Sequence, residues 1–334
     1  MQTRLLPAAV VEDHADLAAV VPAVEAAFAA YERGDVQMPA KSYIDLPRYN
    51  GDFRSMPAYL DTGEWDAAAV KWVNVHPDNR AAYGLPTVMG TIIYSDPRNA
   101  FPLALIDGTT VTRLRTGAAA AVATDHLARA DATSLGLVGA GTQAYTQLEA
   151  IATVRDIDTV VVTDVDEEAV ADFVDTFEGR FDVRPGSVDQ AAACDVVSTL
   201  TPVEEPIVTS VGDRTHVNAM GADAVGKHEI ADAILEDATL VIDDYEQCTH
   251  SGEINVPWSA GVLGDEDIYA ELGAIVTDRI PGRGEDGGPE GVTVFDSTGL
   301  AIQDVAAAHV AYEQADAADA GTLFSLVGTE STGR

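Results

Sequence analysis

The stretch LGLVGAGTQAYTQ, residues 135–147, places Gly139, Gly141 and Ala144 as G-x-G-x-x-A directly after an apolar run and at the start of a helical one. Glycines at such a turn leave the backbone bare, so a pyrophosphate can approach the N–H groups that open the helix. The next β-like run, DTVVVTD (158–164), ends in Asp164, 25 residues beyond Gly139. A carboxylate there accepts hydrogen bonds from the ribose hydroxyls of an adenine dinucleotide. No arginine follows in TDVDEEA (163–169), so a 2′-phosphate would meet only negative charge, which favours NAD over NADP.

Working outward, strand and helix alternate from about Ala132 onward: TSLGLVG, DTVVVTD, DVVSTL, THVNAMG, TLVIDD and VTVFDS read as strands separated by helical segments. That rhythm predicts an α/β fold of the Rossmann type, a doubly wound parallel sheet, over residues 121–304. Upstream, Leu17, Val20, Val21, Val24, Phe28 and Tyr31 follow helical spacing up to a stop at Gly34, with Pro22 expected to kink that helix or mark its first turn. SYIDL, MPAYL, AAAVKWVNV, TVMGTIIYS and FPLALID then read as strands of an antiparallel or mixed sheet, and RTGAAAAVATDHLAR as a helix leading out of it. Residues 1–120 thus form a β-rich lobe, which the last helix, LAIQDVAAAHVAYEQA, is expected to complete through residues 305–334. The end of the chain reads as weakly ordered.

Fifty-five acidic against nineteen basic residues give a net charge of −36. Such a charge opposes binding to nucleic acid or to an anionic membrane. Because the acids are spread along the chain, they read as a solvated surface suited to high salt. No run reaches the apolar length of a membrane span, and the N-terminus lacks a secretory pattern. Cys194 and Cys248 supply neither a disulfide framework nor a zinc cluster, and no histidine has metal-ligand spacing, so no metal is expected and the profile is cytoplasmic.

Only three of the basic residues are lysines: Lys41, Lys71 and Lys227. Lys71 lies inside AAAVKWVNV, sharing a strand face with Val73 and Val75, where an ammonium is expensive. With Lys41 and Arg54 it forms a cationic set in the β-rich lobe, suited to a carboxylate. A partly buried lysine beside other cations has its pKa lowered, which fits it for proton transfer near neutrality. For Arg54 an ordinary ion pair is the alternative reading. Asp223 and Lys227 follow a strand end in VNAMGADAVGKHE, where the acid can assist proton transfer or simply start a helix. Ser297 and Thr298, in FDSTGLAIQD, can touch nicotinamide or substrate, or cap the next helix.

The motifs KWVNVHP, LPTVMGTIIYSDP, LRTGAAAAVA, GAGTQAYTQLEA, GADAVGKHE, HSGEINV and FDSTGLAIQDVA, in this order, resemble the ornithine cyclodeaminase and mu-crystallin family, most closely its archaeal alanine dehydrogenase branch. The resemblance implies a Rossmann lobe holding NAD and a β-rich lobe that binds substrate and forms a homodimer. It implies Lys71 as active-site lysine and Asp223 as catalytic aspartate. Thr87, Arg115, Thr142, Gln143, Asp164, Thr201, Asn218, Ala219, Met220, Gly221, Lys227 and Ser297 match cofactor-contacting positions, and Lys41 and Thr298 match positions facing the substrate. Where the cyclodeaminases resemble a pattern with an acid before Met-Pro, GDFRSMP has Arg54, a cation that repels the side-chain ammonium of ornithine and welcomes a carboxylate. The expected activity is therefore NAD-dependent oxidation of L-alanine to pyruvate and ammonium. Ornithine cyclisation, imine or ketimine reduction, and non-catalytic nucleotide binding are the alternatives.

Overall fold

Every strand-like run quoted above is a strand in the computed structural model, which describes residues 1–328. The chain divides into two units, one comprising Met1–Arg115 and the segment from Ala301, the other Thr116–Leu300.

The second unit is built on β8 (Ser134–Val138), β9 (Thr159–Thr163), β10 (Asp182–Pro185), β11 (Val196–Thr199), β12 (His216–Ala219), β13 (Thr239–Ile242), β14 (Ile268–Glu271) and β15 (Thr293–Asp296). They form one parallel sheet in the order β10-β9-β8-β11-β12-β15-β13-β14. The chain winds outward from β8 through β9 to β10 and then returns to lay β11 on the other side of β8, so the strand order reverses at the glycine turn. In a sheet of this kind the ligand crevice lies at that reversal, outside the carboxyl ends of the strands. The central strands β11, β12 and β15 are buried at every residue, the polar Ser198, His216, Asn218 and Thr293 among them. The edge strands β10 (DVRP) and β14 (IYAE) are not expected from the sequence pattern.

Gly136, inside β8, is required by packing: a Cβ there would come within 2.0 Å of the Ala191 carbonyl oxygen. The helix Val188–Ala192 can approach the sheet only because that side chain is missing.

The first unit holds β1 (Thr3–Leu6), β2 (Val36–Gln37), β3 (Ser42–Leu46), β4 (Gly51–Asp61), β5 (Asp66–Val75), β6 (Val88–Ser95), β7 (Pro102–Asp107) and β16 (Thr322–Phe324). Their order is β16-β1-β7-β6-β5-β4-β2, with β3 also paired to β4. The sheet is mixed, since β1 runs parallel to β7 while the other pairs are antiparallel. The helix Leu17–Arg33 starts on the Asp16 side chain, which accepts from Ala18 N, and stops at Gly34 with φ 79°. It runs through Pro22 rather than beginning there. The closing helix Ala301–Ala317 packs on the helix Leu17–Arg33 and on β4 and β5.

One helix differs from the expectation in its bounds. The helix expected from Arg115 begins at Gly108 and reaches Leu127, because Asp107 at the end of β7 accepts from Thr110 N and caps it. Gly108 is needed there, since a Cβ would lie 2.8 Å from the Gly90 carbonyl carbon. After the closing helix the chain supplies β16 against β1, and the end expected to be weakly ordered, from Thr329, lies outside the described residues.

Candidate functional site

In the second unit the turn after β8 has the geometry that the G-x-G-x-x-A spacing implies. Gly139 adopts φ 114°, a conformation other residues rarely reach. Gly141 caps the helix Thr142–Ile151 without any side-chain hydrogen bond, and a Cβ built on it would meet nothing within 4 Å. The first turn of that helix therefore faces open space with its partial positive charge uncovered. Beside it Gln143 Oε1 is buried with no hydrogen-bond partner among the described residues. A backbone cradle without side chains and an orphaned polar atom together fit a dinucleotide.

Asp164 ends β9, and one carboxylate oxygen accepts from Ala140 N at 2.7 Å while the other accepts from Asp166 N at 3.0 Å. The acid is thus pinned to the glycine turn, with lone pairs left for ribose hydroxyls.

At the end of β12, the Asn218 side chain is turned inward. Its amide donates to Thr124 Oγ1 at 3.0 Å, and its oxygen meets His216 Nε2 at 3.1 Å. His216 is fully buried and its pKa is pushed down to about 3 by desolvation, so it stays neutral and serves as a bracket. What Asn218, Ala219, Met220 and Gly221 offer the crevice is therefore mainly backbone. Gly221 packs tightly, since a Cβ would fall 2.2 Å from Glu229 Oε2 and 2.5 Å from the Thr201 carbonyl. Thr201 gives both its N–H and its hydroxyl to Glu229 Oε1 at 2.7 Å. Glu229 has its pKa raised to about 7, first by burial and then by the neighbouring Glu253 carboxylate.

Ser297 and Thr298 point to a residue that carries no signal in the sequence. Asp243, at the end of β13, accepts from Ser297 Oγ at 2.8 Å, Gly299 N at 2.8 Å and Thr298 Oγ1 at 3.4 Å. Lys227 Nζ and Asp223 Oδ1 form an ion pair at 2.5 Å, so these two residues act on one loop as a couple.

In the first unit Lys71 is 2% exposed on β5. Its ammonium donates to Asp304 at 2.8 Å and to Thr112 Oγ1 at 3.2 Å. Asp304, 2% exposed on the closing helix, also meets Arg115 Nε at 3.4 Å. Arg115 Nη1 donates to the buried Gln303 at 3.0 Å. The Lys71 pKa is lowered to about 8 because desolvation and the nearby Arg115 and Lys41 outweigh Asp304. Asp304 and Gln303 are likewise silent in sequence, since an acid in an alanine-rich helix reads as surface.

Arg54 shares this sheet face. In the β4/β5 register Met56 opposes Lys71 and Arg54 opposes Val73. Asp52 holds the guanidinium at 3.0 Å, and Tyr43 lies beneath it at 5.5 Å from ring centre to the guanidinium carbon. An ion pair, the alternative reading for Arg54, is therefore present. Lys41 is near enough to depress Lys71 electrostatically, while Thr87 contributes its carbonyl to His76 N at 2.8 Å. Arg115, matched to a cofactor position by resemblance, is tied to the Lys71 cluster through Asp304.

Among the described residues no group of three or more His, Cys, Asp or Glu side chains is placed to hold a metal, and no helix is long and apolar enough to cross a membrane.

Residues 1–319 match the model of the ornithine cyclodeaminase/mu-crystallin family. The alanine dehydrogenase of Archaeoglobus fulgidus is 45% identical over 98% of this chain and 99% of its own. An archaeal alanine dehydrogenase dimer solved with bound NAD superposes with a TM-score of 0.91 at 44% identity, covering 98% of this chain and 100% of that one. The Delta(1)-pyrroline-2-carboxylate reductase of Thermococcus litoralis, in complex with NADH and L-proline, gives a TM-score of 0.89 at 34% identity, covering 96% and 99%.

Proposed function

The chain belongs to the ornithine cyclodeaminase/mu-crystallin family, and from that premise we propose that it is an NAD-dependent L-alanine dehydrogenase. It converts alanine, NAD⁺ and water to pyruvate, ammonium, NADH and a proton, and runs reductive amination in reverse. The observation that carries the choice of substrate is Arg54. A guanidinium on the sheet face of Lys71 suits a small amino acid whose only anchor is its carboxylate, and opposes a diamine.

The open turn at Gly141, the uncapped helix Thr142–Ile151, Gln143 and Asp164 would hold NAD, with the 218–221 backbone, Thr201, Lys227 and Ser297 completing its surroundings. When bound, NAD supplies the hydride acceptor for the substrate Cα. Everything else falls to this chain. Arg54 and Lys41 hold the carboxylate, with Thr298 on the substrate side. Neutral Lys71 takes a proton from water as its oxygen bonds to the imine carbon. The Lys71 ammonium returns that proton to the amine nitrogen; as the C–N bond breaks and ammonia departs, Lys71, neutral again, takes the hydroxyl proton so that the carbonyl of pyruvate forms, with Asp223 assisting. A lysine whose pKa is lowered to about 8 can both take and give a proton near neutrality. The protein is further read as a cytoplasmic homodimer adapted to high salt, its solubility carried by a net charge of −36.

The deciding assay follows NADH consumption with pyruvate and ammonium in molar KCl, beside proline formation from ornithine. Consumption with pyruvate supports the assignment. Proline formation without it moves the enzyme to the cyclodeaminases, and NAD binding with neither reaction leaves a nucleotide-binding protein.

A further inference from the structure

Lys71 and Arg115 are two buried cations that share one carboxylate. Asp304 Oδ2 lies 2.7 Å from Lys71 Nζ, and Oδ1 lies 2.8 Å from the same ammonium and 3.4 Å from Arg115 Nε. Lys41 adds a third positive charge to the surroundings of Lys71. The groups facing the ammonium are therefore Asp304 from the closing helix, Arg115 and Thr112 from the helix Gly108–Leu127, and Lys41 from the segment before β3. At Lys71 the Asp304 carboxylate acts against Arg115 and Lys41, so the balance there depends on where that carboxylate sits. Gln303, fully buried one residue earlier, holds Arg115 in its place and so fixes how Asp304 is shared.

We propose that Asp304 is a positioning residue for the reaction: it seats the Lys71 ammonium against Thr112 and, through its division between Lys71 and Arg115, decides how readily Lys71 releases its proton. This rests on the reading of Lys71 as the proton-transfer group. It assigns to the QD pair of FDSTGLAIQD a role that composition and motif spacing do not disclose. Asp304 is given no contact with substrate or cofactor; its contact is with Lys71. It acts through Lys71, and Arg115 acts against it.

The chain has three lysines, so protein isotopically labelled at lysine Cε gives three resonances whose titration reads Lys71 directly, without any turnover. In the full-length protein Asp304→Asn moves the Lys71 midpoint down by about one to three pH units, because a partnered carboxylate is lost and both other cations remain. Arg115→Met moves it up, because a competing cation is removed. The acidic limb of kcat/KM for alanine oxidation, which requires neutral Lys71, shifts in the same two directions. A structural role alone would lower activity without displacing either midpoint. If Asp304→Asn folds and its Lys71 midpoint is unmoved, the proposal is overturned. If that variant does not fold, Arg115→Met decides, and an unmoved or lowered midpoint there overturns it too. The resonance shifts stand apart from the alanine reading: opposite shifts in a protein inactive on alanine uphold the Asp304–Lys71 coupling and reject the substrate, whereas active protein with unmoved midpoints rejects the coupling alone.

Discussion

Lys71 and Asp304, 233 residues apart in the chain, meet at 2.7 Å with each only 2% exposed. A buried pair of this kind gains from its mutual attraction and loses from desolvation, so its net worth is small, but breaking it by removing one partner costs about 3–5 kcal/mol. Lys71→Met therefore lowers thermal stability and reduces alanine turnover by about a hundred- to ten-thousandfold, the usual scale for loss of an acid–base group. The double variant Lys71→Met/Asp304→Leu recovers none of the turnover and only part of the stability, because it takes the shared carboxylate from the buried Arg115 as well. Calorimetry beside steady-state rates separates the two effects, and recovery of turnover in the double variant would remove Lys71 from the mechanism.

The two kinds of glycine in the nucleotide motif respond differently to the same change. Gly141→Ala places its methyl in open space, so stability holds while NAD affinity falls by at least about tenfold, equivalent to ~1.4 kcal/mol. Gly136→Ala drives its methyl to 2.0 Å from a backbone carbonyl and destabilises the unit before affinity can be measured. Melting curves and fluorescence titration with NADH check both, and an unfolded Gly141→Ala would refute the cradle.

Arg54 is expected to act on substrate and not on cofactor. Arg54→Ala raises the KM for alanine and pyruvate by about ten- to a hundredfold, the scale of a charge-assisted contact of about 1.5–3 kcal/mol, and leaves the KM for NAD near its original value. Initial-rate kinetics with each substrate varied in turn would show an equal rise in both constants if Arg54 were merely structural.

Glu229 predicts a pH dependence of stability. Its folded pKa of about 7 stands above the ordinary carboxyl value, so between about 4.5 and 7 the folded state binds more protons than the unfolded one. The contribution of this group is fully present at low pH and is lost as pH rises through 7, by about 3 kcal/mol in all. Glu229→Gln keeps an acceptor for Thr201 and removes the titration, which flattens that part of the profile and leaves the variant more stable at pH 8. Denaturant unfolding at a series of pH values tests this, and an unchanged slope between pH 5 and 7 would contradict it.

Local rules carried the nucleotide-binding half far. A strand, a glycine turn and a helix are neighbours in sequence, so Gly139, Gly141 and Asp164 could be placed by spacing, and the buried strands β8, β9 and β13 announce themselves by apolar content. The lone lysine in AAAVKWVNV was legible for a similar reason, since an ammonium on an apolar strand face is too costly to bury without a partner or a use. Tertiary structure decided the partners. Asp304 and Gln303 lie in a helix buried on nearly every side, where no amphipathic stripe marks an inward acid, and only the return of that helix onto β4 and β5 brings Asp304 to Lys71. Asp243 and Glu229 likewise gain their meaning from a sheet that sets strand ends side by side regardless of their order in the chain. The short strands β1 and β16 are invisible to pattern because each is defined by the backbone it pairs with and not by its own side chains. The sequence by itself determined which residues could carry charge and bend backbone; the fold alone determined which charges share a carboxylate, because that depends on distances of a few ångströms between segments the chain keeps hundreds of residues apart.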